Sequence, residues 1–178
     1  MADRVSAQIT LGGKLAGSAV PALIAAIEAE GVATDYEGTQ FEAADLFNGE
    51  PLTLCASEVA WGTFNLLEAF CRTHGLAYRR WFGACSGVWG AGRCIYRGSG
   101  ETRDGPQVID DYDASDDDQT LLGEQLARHL GSYEAIIAHF ERASFAVPPL
   151  EISDAPKTDT TDPDTTDCAR TDATAGPA

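Results

Sequence analysis

Apolar positions along this chain fall into short alternating runs and helix-period stripes, and the two kinds follow one another in a repeated order. Gln8-Ile9-Thr10-Leu11 alternates as a short strand, and Ser18 is placed to cap a helix. In that helix Val20, Leu23, Ile24 and Ile27 share one face at i, i+3, i+4 and i+7. Gly31 stops the helix, and Val32-Ala33-Thr34-Asp35-Tyr36 reads as the next strand. The order then recurs. Residues 51–60 read as a strand, Thr63 as a cap, and Leu67, Phe70, Cys71 and His74 as a helical stripe closed by Gly75. Residues 76–82 read as the returning strand. Ile9-Thr10-Leu11 matches Leu52-Thr53-Leu54 at an offset of 43 residues.

Two strand-helix-strand units predict an α+β fold of the ferredoxin-like kind. Two split βαβ units would set their helices on one face of an antiparallel sheet. Residues 92–98 and 106–112 can add a hairpin of strands. Helical signals resume with Leu122, Leu126, His129 and Leu130 up to Gly131. A second stripe follows the cap Ser132, at Tyr133, Ile136, Ile137 and Phe140. A C-terminal helical hairpin covering part of the sheet completes the expected architecture.

At 178 residues and 44% hydrophobic, the chain has length for one well-buried core. Its expected extent is residues 1–150. From 151 to 178 the chain is Asp, Thr, Pro and Ala with almost no large apolar side chain. That composition cannot offset the entropy of ordering, so a disordered acidic tail is expected. No apolar run approaches the roughly 20 residues that cross a bilayer, and the N-terminal residues lack the pattern of a secretory signal. A cytoplasmic protein with no membrane partner is the expectation. Cys55, Cys71, Cys85 and Cys94 lie in apolar segments, as reduced thiols used for packing would.

Charge changes this picture because it is unevenly placed. The formal net charge is -16, yet residues 71–100 hold five arginines and no acid. The next 18 residues hold eight acids against Arg103. The basic stretch interleaves Tyr78, Arg79, Arg80, Trp81, Trp89, Arg93, Tyr96 and Arg97. Paired strands of that composition can hold phosphates and stack single-stranded bases. The competing reading is that its arginines neutralise the adjoining acids within the molecule. Those acids are Asp110, Asp111, Asp113, Asp116, Asp117 and Asp118. A calcium loop beginning at Asp111 would need Gly at 116 and Glu at 122, where Asp116 and Leu122 stand. Ser115 or Asp116 as the cap of the following helix accounts for part of the run.

Gly83-Ala84-Cys85-Ser86-Gly87 fits a nucleophile elbow with cysteine in place of serine, but strand-like, glycine-punctuated sequence follows where that motif needs a helix. Cys71, His74, Cys85 and Cys94 match no common zinc spacing. Glycine loops for nucleotides are missing, so neither a metal nor a cofactor is expected, and no catalytic set is assigned.

Residues 58–83, in which a strand, a helix ending in Phe70-Cys71-x-x-His74-Gly75 and a second strand succeed one another, resemble small accessory proteins of phages and plasmids. The resemblance implies a setting in which small acidic proteins occupy host defence or regulatory proteins. The leading expectation is therefore a non-enzymatic interaction protein that presents carboxylates to a basic partner surface, as an inhibitor of a nucleic-acid-binding complex would. A nucleic-acid binder using the basic aromatic hairpin, and an enzyme built on Cys85, are the alternatives.

Overall fold

The computed structural model describes residues 3–99 and 108–153. Its framework is an open six-stranded sheet with four α-helices. In chain order these are β1 (Arg4–Ala16), α1 (Val20–Glu30), β2 (Leu52–Ala60), α2 (Asn65–His74), β3 (Ala77–Phe82), β4 (Gly92–Tyr96), β5 (Ile109–Asp113), α3 (Glu124–Leu130), α4 (Tyr133–Ala143) and β6 (Leu150–Ser153). The sheet runs β2-β1-β3-β4-β5 with every neighbour antiparallel, and β6 lies parallel to the end of β1.

Alternation along β1 builds the core. Val5, Ala7, Ile9 and Leu11 are buried on one face, opposite Leu52 and Leu54 of β2 and Tyr78 of β3. Against that face pack Leu23 and Ile27 of α1, and Leu67, Phe70 and Cys71 of α2. Each Leu, Ile or Phe side chain taken out of water contributes about 1.5 to 3 kcal/mol, so the two helical stripes are what fix α1 and α2 on this side. Gly31 and Gly75, both left-handed, end the helices where the sequence places their stops. The opposite face carries a smaller cluster in which Ile95, Tyr112, Ala143 and Phe145 meet, so α4 covers the β4–β5 half of the sheet. Helix α3 buries no residue and packs on α4.

Several local expectations are corrected. Residues 32–36 form no strand. Ala33 makes single bridges to Cys55 and Gln40, and then the Asp35 carboxylate accepts from the backbone of Glu37 and Thr39 and from the Thr39 hydroxyl. These bonds close a turn that outcompetes extension, as Asp side chains do when they capture nearby backbone donors. The short strand expected at residues 8–11 is instead 13 residues long, because beyond Gly12 it changes partner and pairs with β6. A side chain at Gly12 would occupy the place of the Pro148 carbonyl oxygen. Pairing with β6 also draws Glu151, Ile152 and Ser153 into the sheet, past the boundary at residue 150. The remainder of the expected tail lies outside the described residues.

Of the proposed caps, Ser132 does cap α4, its hydroxyl accepting from Ala135 N at 3.1 Å. Ser18 sits in a 3₁₀ turn and Thr63 bonds back to the Ala60 carbonyl, so neither caps its helix. Ser115 closes a turn by accepting from Gln119 N, while α3 begins later, after Gly123.

Candidate interaction surface

Strand register decides where each residue of the basic, aromatic hairpin points. Residues directly opposite one another share a face, so Tyr78, Arg80 and Phe82 of β3 lie with Tyr96, Cys94 and Gly92 of β4 beneath α2. On the other face Arg79 and Trp81 lie with Ile95 and Arg93. Neither set is an open cationic platform.

Beneath α2, Tyr78 and Tyr96 are buried with their ring centroids 5.5 Å apart, out of reach of a stacking base. Arg80, also buried, pairs with Glu68 (Nε to Oε1 2.8 Å), donates to the Gly62 carbonyl and lies over the Phe82 ring. Glu68 further accepts from the Tyr78 hydroxyl and from Phe64 N, so one carboxylate ties the start of α2 to β3. Burial, reinforced by the Glu68 charge, raises the Tyr78 phenol well above its ordinary value. Arg72 reaches both Glu68 and the Tyr78 hydroxyl. Glu68 was missed by motif reasoning. Its signal was an acid placed between Leu67 and Phe70 on an apolar helix face.

On the opposite face Arg93, 5% exposed, is the centre of a knot. Its guanidinium donates to the Asp118 carboxylate (Nε 2.8 Å, Nη2 2.7 Å) and carbonyl, to the Thr120 hydroxyl (2.9 Å) and to the Ala143 carbonyl (2.7 Å). Arg79 approaches Asp118 at 3.7 Å, and Trp81 donates from Nε1 to the Ser115 carbonyl. Arg97 pairs with Asp110 at 3.3 Å, donates to the Arg142 carbonyl and stacks on Phe145. All five arginines of the basic stretch therefore spend their charge inside the molecule. Trp89 stands apart at the β3–β4 turn, stacked on the exposed Trp61 at 5.7 Å.

The six acids are divided by the same geometry. Asp110 and Asp118 belong to the arginine pairs. Asp111, Asp113, Asp116 and Asp117 are exposed, and among the described residues none of the four has a cation within 4.0 Å. Asp111 and Asp113 project from β5, the last strand of the sheet. Asp113 and Asp116 line an open groove of about 670 Å³ walled by Ala84, Leu121 and Leu122. Asp111 also stands beside Cys94. Burial pushes that thiol up to about 12 against the lowering pull of Arg80, and Asp111 adds to the rise.

Cys85 lies in the β3–β4 turn, where its N–H and carbonyl bond with Trp89, and the chain continues into β4 rather than a helix. Cys71 and Cys94 are core residues, and Cys71 is likewise pushed up to about 12 by burial. Among the described residues no three His, Cys, Asp or Glu side chains come together to hold a metal ion. No helix among them is long and apolar enough to cross a membrane. Neither a family model, nor a curated protein, nor a solved structure matches this chain.

Proposed function

We propose that this is a non-enzymatic interaction protein that docks a basic surface of a partner onto the acidic edge formed by Asp111, Asp113, Asp116 and Asp117. The observation that carries the reading is the asymmetry of pairing. Every arginine of residues 71–100 has an internal partner, whereas these four carboxylates are exposed and, among the described residues, have no cation within 4.0 Å. Unpaired carboxylates on a chain of net charge -16 attract a cationic surface, speed its encounter and repel nucleic acid. The setting proposed is that of a phage or plasmid accessory protein occupying a host nucleic-acid-binding defence or regulatory complex. It rests on the resemblance of residues 58–83. We also read the core as ferredoxin-like. Support comes from β2 and β3 flanking β1 with α2 as their crossover, and from Ala33 bridging β2 where a fourth strand of such a sheet would lie.

The test is an anisotropy titration of the full chain against a labelled arginine- and lysine-rich peptide and against a single-stranded oligonucleotide. The peptide should bind at low salt and weaken steeply as salt rises. Replacing Asp113, Asp116 and Asp117 with Asn should cost roughly tenfold, since exposed pairs contribute about 0.2 to 1 kcal/mol each. Tighter binding of the oligonucleotide than of the peptide would overturn the reading in favour of the nucleic-acid alternative.

A further inference from the structure

The acidic edge is also an edge of backbone. Ala114 N donates to the Ala91 carbonyl across to the β4 side, and Leu121 N donates to the Asp113 carbonyl from the opposite side. Backbone groups alternate in direction along a strand, so those of Asp110 and Tyr112 face β4 while those of Ile109 and Asp111 face outward. Among the described residues, the returning Thr120–Leu121 segment occupies the Asp113 end of this outer edge. Among the described residues nothing pairs with the outward groups of Ile109 and Asp111.

We propose that β5 is a strand-addition site, and that its occupant is an extended partner segment alternating Lys or Arg with β-branched residues. This inference rests on the function proposed above and names how the partner is held. Cross-strand neighbours share a face, so the residue opposite Asp111 stands beside its exposed carboxylate, with that of Asp113 next along the same face, and should be basic. The intervening residues lie on the face of the buried Tyr112 and should be apolar. Main-chain bonds to Asp111 hold the segment, and the side chains select it. The same charges exclude a second copy of this chain as occupant, because two β5 strands would set Asp111 and Asp113 against like charges.

The experiment titrates the full chain with a capped hexapeptide alternating valine with lysine or arginine. A second peptide of equal charge is methylated on the backbone nitrogens that would face β5. Strand addition predicts that the first peptide shifts the amide resonances of Ile109 and Asp111, and that methylation weakens binding roughly tenfold, the loss of one or two backbone hydrogen bonds. Asp111→Pro should weaken the unmethylated peptide well beyond Asp111→Asn, which removes the same charge and keeps the N–H. The N–H that proline lacks is one that faces away from β4, so the ladder inside the protein is spared. Equal affinity for both peptides would overturn strand addition while leaving the charge-based function standing. Failure of both peptides to bind at low salt would overturn both. A concentration-dependent dimer that protects the same two amides would overturn the choice of occupant. Should Asp111→Pro fail to fold, the methylated peptide still decides.

Discussion

Asp118→Asn isolates the tie between the basic hairpin and the acidic loop, because it removes one charge and leaves the shape nearly unchanged. In the native protein Asp118 faces an Arg93 side chain that is 6% exposed, while its own side chain is 31% exposed. Removing one member of a buried pair typically costs about 3 to 5 kcal/mol, since the remaining charge stays desolvated without its counterion. Partial exposure of Asp118 lets water screen the pair, which places the expected loss at the lower end, about 3 kcal/mol. Arg93→Met should cost a similar amount, because the Thr120 hydroxyl and the Ala143 carbonyl lose their donor along with Asp118. The double substitution Arg93→Met/Asp118→Asn should cost less than the two single losses together, by about 2 kcal/mol, since no charge is then stranded. Urea unfolding followed by tryptophan fluorescence measures all three. Trp81 adds a local readout, because its indole N–H bonds to Ser115 in the same loop. A loss below about 1 kcal/mol for Asp118→Asn, or additivity within about 0.5 kcal/mol, would refute the claim that the hairpin's charge is consumed internally.

Two further outcomes follow from the core. Gly12→Ala should destabilise by about 3 kcal/mol and release β6, because the new methyl group meets the Pro148 carbonyl oxygen, a backbone atom that cannot swing aside; hydrogen exchange at Lys14 and Ile152 would report the release. Cys71 and Cys94 ionise near 9.0 when exposed and near 12 when folded, so the unfolded chain gives up protons first and stability should fall as pH rises from 9 toward 12. Each thiol contributes a slope of about 1.4 kcal/mol per pH unit in that window, and Cys71→Ala should flatten the curve of urea stability against pH accordingly.

Periodicity and stop signals made α1, α2, α4 and the strands of the first 97 residues legible in outline, because a helical stripe closed by Gly31 or Gly75 is a local property of the chain. The sign change between residues 71–100 and the acids beyond was equally visible. What those charges do was not. Arg93 and Asp118 are 25 residues apart, and their meeting depends on the β3–β4–β5 register. A slip of one residue would turn Arg93 toward α2 and Cys94 toward the loop.

The same limit applies to β1, whose length is set by a partner strand 137 residues downstream at Leu150, and to residues 32–36, where the Asp35 turn overrode a strand-like composition. Composition and spacing thus determined which segments are helical, which are extended and where each sign of charge lies. Tertiary structure alone decided which charges cancel. Ion pairing is a matter of distance through space and of burial, and neither is carried by the order of residues along the chain.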